Sequence, residues 1–404
     1  MDKRFCMTLP RPIEEILEML TASGFDGYLV GGCVRDAAMG KAPHDFDITT
    51  NALPEQTKAV FEKDFKVIET GIKHGTVTVL AHGEPIEITT FRIDGEYRDN
   101  RHPESVSFTS DITEDLARRD FTVNAMAFSP KKGFVDPFGG LDDISRRIIR
   151  CVGEPDKRFH EDGLRILRAL RFAATLGFDI DEATAVSIHK NKDLLRGISA
   201  ERIYTELVKL LSGDFAQGIL RDFSDTFKVF APNTDSSASA NTVALLPKDK
   251  NLRLAAFLSL SGNENAEKFM QSMKTDTASR REVVQLVALL DGEIPDDRIA
   301  VKHFASENGI DVSLKFAELA KAAGKEIDFD TFCGVIRRIS EEGQCISMKR
   351  LAVNGSELAD VGIPAGKATG QVLSALLDMV IAEKIENEKS ILLNEARIIA
   401  ESLK

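Results

Sequence analysis

The hydrophobic period of this chain changes once, and that change limits what it can fold into. Up to about residue 150, short apolar runs bounded by glycine, proline and acids alternate with helical patterns; beyond it, apolar residues recur at three- and four-residue spacing to the C-terminus. IEEILEMLTA (13–22) predicts a helix, GYLVGG (27–32) a strand entering a glycine turn, CVRDAAMG (33–40) a short helix and DFDITT (45–50) a strand. PEQTKAVFEK (54–63) predicts a helix with proline in its first turn, and FKVIET, GTVTVLA and PIEITTFR predict three strands. The expected fold class is α+β, with an N-terminal mixed sheet followed by an all-α remainder. FRIDGEYRDNRHPESVSF (91–108), rich in charge and turn residues without periodicity, predicts a long functional loop, and PNTDSSASANT (232–242) a linker or loop.

Charge narrows the partners. A net charge of −12 over 404 residues excludes a generally basic coat, so any nucleic-acid contact rests on local patches such as Arg146, Arg147 and Arg150. No apolar run has the length of a membrane span, and the N-terminal residues lack a signal peptide's apolar stretch, so the expected address is the cytoplasm. Five scattered cysteines without a CxxC pair indicate reduced thiols rather than a disulfide framework or zinc site.

The chemistry-bearing residues begin with Asp45 and Asp47. On one strand they project from the same face, and two such carboxylates repel unless they share a proton or a cation. A bare DxD is more often a solvated strand end, but this one follows LVGGCVRD. Gly31 and Gly32 let backbone approach a ligand closely, the amides beyond them can receive phosphate oxygens, and Arg35 adds a charged fork. Hard oxygen ligands with few protein partners suit Mg²⁺ completed by substrate phosphates. Neither GxxxxGK[ST] nor GxGxxG occurs.

GGCVRD followed by DFDITT resembles the head-domain signature of class II nucleotidyltransferases of the polymerase-β superfamily, the group holding CCA-adding tRNA nucleotidyltransferases and bacterial poly(A) polymerases. The resemblance implies a two-metal attack by an RNA 3′ hydroxyl on the α-phosphate of a nucleoside triphosphate, with Asp45 and Asp47 as metal ligands and Glu87 as a candidate third carboxylate. RRDFTVNAM (118–126) matches the family's motif for sugar and phosphate recognition, which places Arg119 on the triphosphate and Asp120 and Asn124 near the ribose. EDGLRILRALRFA (161–173) carries Asp162, Arg165, Arg168 and Arg171 at three-residue intervals. Cytosine and adenine both offer an exocyclic amine beside a ring-nitrogen acceptor, so a carboxylate and a guanidinium accept these two bases and reject guanine and uracil. The segment resembles the family's EDxxR motif, which assigns that pairing to Asp162 and Arg165, and puts Arg168 and Arg171 on the phosphates or in support. SAERIYTEL (199–207) matches the motif after it, with Glu201 and Arg202 bracing the base-reading helix.

GIKHGTVTVL (71–80), the 91–108 loop and LAVNGSELADVGIPAGKATGQVL (351–373) resemble the compact bacterial CCA-adding type. The implied layout is a catalytic head over 1–150, a base-reading neck over 151–212, a helical body over 213–300 and a tRNA-binding tail over 301–404. The implied reaction is untemplated addition of C, C and A to tRNA from CTP and ATP, with Mg²⁺ as cofactor and no protein partner. A-only addition or poly(A) synthesis, and an RNA-binding protein with an inactive head, remain open. His44 and His74, tempting as acid/base groups, receive no role.

Overall fold

The computed structural model describes residues 7–43, 45–72, 75–95 and 106–402. Two compact units divide the chain, 1–232 and 233–404, so the residues expected to form head and neck fall in one unit. His44 and His74 lie outside the described residues.

The first unit is built on a seven-stranded sheet. Helix α1 (Arg11–Ala22) packs Ile13, Ile16, Leu17 and Leu20 inward and leads to strand β1 (Gly27–Val30), helix α2 (Gly32–Ala38) and strand β2 (Asp47–Thr50). Helix α3 (Pro54–Phe61) then precedes a meander of β3 (Lys66–Gly71), β4 (Thr76–Ala81) and β5 (Glu84–Thr90). The sheet order is β3-β4-β5-β2-β1-β8-β9, where β8 is Ala127–Ser129 and β9 is Gly133–Val135. β2 and β5 run parallel and every other pair is antiparallel, which makes the sheet mixed as expected. Between β5 and β8, β6 (Arg92–Asp94) and β7 (Val106–Phe108) form a separate ribbon, and α4 (Ile112–Ala117) follows. That ribbon departs from the expectation of one continuous loop over 91–108, of which 96–105 lie outside the described residues. DFDITT also differs at its start, because pairing begins at Asp47 and leaves Asp45 in the turn before the strand.

Past β9 the chain turns mainly to helices. Helix α5 (Gly140–Arg146) leads to β10 (Ile148–Ile149), followed by α6 (Pro155–Glu161), α7 (Leu164–Leu176), β11 (Asp179–Ile180), α8 (Glu182–Asn191) and α9 (Ala200–Leu211). β10 and β11 form a two-residue parallel ribbon, and Cys151 makes an isolated antiparallel bridge to Phe121. Arg150 is held between Asp143 and Asp181 beside it, so its charge is spent within the fold.

The second unit is helical. Asp235, Asp249, Asp276, Asp297 and Asp328 each accept a backbone N–H at a helix start, satisfying donors that helices leave open. Part of the polar segment expected as a linker is therefore a helix, Ser236–Leu245, with Ser236, Ser239 and Ala240 buried; the division between the units falls just before it. At the C-terminal end, Val353, Leu358, Ile363, Val372, Leu376 and Leu392 form a core of their own. Among the described residues no helix is long and apolar enough to cross a membrane.

Candidate active site

Gly31 follows β1 at φ 75°, a left-handed conformation that suits a residue without Cβ. A Cβ there would lie 3.2 Å from Arg119 Nη1 and 4.0 Å from Asp47 Oδ2, so the glycine turn, the arginine and the acid meet at one point. Gly32 opens α2 beside Arg35. Asp47 is exposed at the head of β2, yet its carboxylate stands against this turn. Partial desolvation raises its pKa, Arg119 opposes the rise and the nearby charge of Asp45 adds to it. The two acids therefore feel each other, although only one is in the strand.

Glu87 follows from register. Ile48 pairs with Ile88 between the parallel strands β2 and β5 and both are buried, so the residues preceding them, Asp47 and Glu87, project from the opposite face of adjacent strands. Among the described residues no three acids stand close enough to form a ready-made metal cluster, while Asp47 and Glu87 share one face of adjacent strands. Their hard oxygen donors fit a divalent cation whose remaining positions go to phosphate and water. Such an ion, when bound, would polarise the reacting phosphate and lower the pKa of the attacking hydroxyl.

Arg119 supplies the fixed positive charge. Burial pushes its pKa down, and Asp115, Asp120 and Asp47 counter that push. Asp115, fully buried, bonds Arg118 at 2.8 Å and sits 3.5 Å from Arg119. Arg119 Nε is buried and has no hydrogen-bond partner among the described residues, leaving a donor for an incoming anion.

A second set of bonds ties this turn to the neck. Arg168 donates Nε and Nη2 to Asp120 Oδ2 at 2.8 and 2.6 Å; Asn124 Nδ2 donates to Asp120 Oδ1 at 3.2 Å; and Arg35 Nη1 donates to Asn124 Oδ1 at 2.7 Å. Arg35 also bonds Asp36, and Arg171 Nε donates to Glu206 at 2.5 Å. Asp120 and Asn124, expected near the ribose, are here buried links between α7 and α2. Burial disfavours ionised Asp120, but the charge of Arg168 and its hydrogen bonds outweigh that cost and hold the pKa down at about 2. A depressed carboxylate contributes stability that is full above its ordinary value and is lost as pH falls toward the folded one. Asp120→Asn is therefore expected to cost on the order of 2 kcal/mol at pH 7 and little at pH 2. Urea unfolding of both proteins across that range measures the difference; equal losses at both ends contradict it.

Arg165 N–H donates to the Asp162 carbonyl at 2.9 Å, and the two side chains also bond other groups. Asp162 closes α6 and takes Arg202 in a fork, Nη1 to Oδ1 at 3.2 Å and Nη2 to Oδ2 at 2.6 Å, with Leu164 N–H as a third donor. Arg165, 9% exposed, donates to Glu161 at 2.5 Å and to the carbonyls of Arg158 and Arg118. Arg202 does brace the motif, but on the acid. Glu206, Asp115 and Glu161 were not singled out by sequence reading. Glu206 pairs with Arg171, 35 positions away, so local spacing carries no signal for it.

Residues 27–150 match the Poly A polymerase head domain, and 247–396 match tRNA nucleotidyltransferase domain 2. The CCA-adding enzyme of Ligilactobacillus salivarius is 35% identical over 96% of both chains, and that of Geobacillus stearothermophilus is 37% identical over 93% of both. The crystal structure of the Bacillus stearothermophilus CCA-adding enzyme in complex with CTP superimposes with a TM-score of 0.83 at 32% identity, covering 98% of this chain and 99% of that one. Kinship of that degree runs through sheet, neck and second unit alike, and the chain belongs to the CCA-adding tRNA nucleotidyltransferases.

Proposed function

We propose that this protein adds C, C and A in turn to the 3′ end of tRNA, using CTP and ATP and releasing pyrophosphate, without a nucleic-acid template. Likeness to CCA-adding enzymes over nearly the whole length carries this reading. Asp45 and Asp47, with Glu87 beside them, hold the catalytic divalent ion, which is Mg²⁺ because two or three hard carboxylates leave positions for phosphate and water. Gly31, Gly32, Arg35 and Arg119 receive the triphosphate, the buried donor of Arg119 foremost. Asp162 accepts the exocyclic amine shared by cytosine and adenine. Arg165 donates to the ring nitrogen, which requires its guanidinium to leave the Glu161 contact. Arg168 and Arg171 face the phosphates from that helix, steadied by Asp120 and Glu206. The head spans 1–150, the neck 151–212, the body 213–300 and the tRNA-binding tail 301–404, and the protein works in the cytoplasm.

Purified protein, Mg²⁺ and tRNA transcripts ending before C, at C, at CC and at CCA, incubated separately with labelled CTP and ATP, test the function. CTP is expected to label the first two transcripts and ATP the CC-ended one, with none on the complete end. Labelling of the CC-ended transcript alone, by ATP alone, would make it an A-only enzyme. Open-ended ATP tailing would make it a poly(A) polymerase.

A further inference from the structure

Phe172 has no part in the site as described so far, yet three guanidinium groups converge on it. Its ring is 6% exposed on α7. Arg171, Arg35 and Arg168 lie 3.8, 5.2 and 5.4 Å from the ring centroid. Phe121, next to Asp120, meets the ring at 5.8 Å and 79°. The arginines come from two elements, α2 and α7, so the ring stands where the glycine-turn helix meets the neck.

Three cations this close repel one another. Each has a carboxylate partner, Arg35 in Asp36, Arg168 in Asp120 with Glu206 at 4.0 Å, and Arg171 in Glu206. A polyphosphate that draws on these guanidinium groups competes with those carboxylates and loosens what they hold. An aromatic face attracts cations through its quadrupole whether or not the carboxylates stay engaged. It also adds no anion to repel the phosphates, which a fourth carboxylate would do.

We propose that Phe172 is a positioning residue for the triphosphate: its ring gathers Arg35, Arg168 and Arg171 into one polyphosphate-facing cluster and sets the affinity for the part that CTP and ATP share. This rests on the reading of the site as a nucleoside triphosphate site. Base choice stays with Asp162, so the ring affects both nucleotides alike.

Mono-, di- and trifluorophenylalanine placed at 172 in the full-length protein weaken the ring's negative face stepwise at nearly constant volume. KM and kcat for CTP and ATP on tRNA transcripts, inhibition by inorganic pyrophosphate, and thermal melting are then read across the series. KM for both nucleotides is expected to rise in step with fluorination to about tenfold, pyrophosphate inhibition to weaken by the same factor, and kcat to stay within about twofold. Phe172→Tyr, which retains the face, is expected to keep a KM near that of the wild type. A flat KM series overturns the proposal, as does a change confined to one nucleotide or one that follows melting temperature instead of fluorine count. A wild-type chain that incorporates neither nucleotide rejects the underlying site reading, whereas an active wild type with a flat series rejects only the role of Phe172.

Discussion

Asp47→Asn is expected to abolish nucleotide incorporation, by at least about a thousandfold, while making the protein without divalent ions harder to melt. Both effects have one origin. The Asp47 carboxylate stands at the meeting point of Gly31 and Arg119 with Asp45 close by, and desolvation with that second charge raises its pKa despite Arg119. A raised folded-state value means that the folded protein prefers the protonated acid. The resulting penalty is absent in strong acid, where both states are protonated. It grows as pH rises from the ordinary carboxylate value to the raised one and is complete above that. Asn removes the charge and with it the penalty, so its melting temperature at pH 7 should exceed the wild type's.

Millimolar Mg²⁺ should reverse that order, because an ion held by Asp45 and Asp47 stabilises the folded wild type by mass action and loses one of these carboxylates in the variant. Asp45→Asn should behave alike in activity. Binding of tRNA, measured by gel shift, should change little in either variant. Equal stabilisation of wild type and Asp47→Asn by Mg²⁺ would remove the ion from this acid pair.

The parts of this site that are local in sequence were legible, and the parts that depend on rotation about a helix were not. GGCVRD and DFDITT belong to two neighbouring elements, and strand register fixes the face of Asp47 but not that of Asp45, which precedes the pairing. The arginines at 165, 168 and 171 read as equivalent because they recur every third residue. Three residues advance an α-helix by about 300°, so each successive side chain is turned by about 60°. Over six residues the direction swings by about 120°. Arg165 accordingly meets Glu161 and the Arg118 carbonyl, Arg168 meets Asp120, and Arg171 meets Glu206. Partners 48 and 89 positions apart, such as Arg168 with Asp120 and Arg35 with Asn124, leave no trace in local spacing. The same limit applies to β8 and β9, whose three residues each are too few for a period of two to stand out. Ser236–Leu245 escaped because its polar residues pack inside, where composition alone suggests a loop.

Asp162→Ala is expected to lower discrimination for CTP and ATP against GTP and UTP by about one to two orders of magnitude, with a smaller effect on triphosphate affinity. The geometry around Asp162 gives that expectation its form. An ionised carboxylate has about four acceptor positions. Arg202 fills one on each oxygen and Leu164 N–H a third, which leaves one for the exocyclic amine of cytosine or adenine. Guanine and uracil present a carbonyl at that place, and an oxygen facing the remaining lone pair costs its own desolvation and gains nothing. Arg202 fixes the direction of that lone pair, so Arg202→Ala should also erode selectivity while leaving the acid in place. Arg165→Ala separates two forms of the reading. If Arg165 leaves Glu161 to donate to the ring nitrogen, its loss should match that of Asp162 in selectivity. If it stays with Glu161 and the carbonyls of Arg158 and Arg118, its loss should appear as a lower melting temperature with the nucleotide ratios retained. Incorporation of all four nucleotides by the three variants, on transcripts ending before C and at CC, decides between them. Unchanged ratios in Asp162→Ala would take base choice away from this helix altogether.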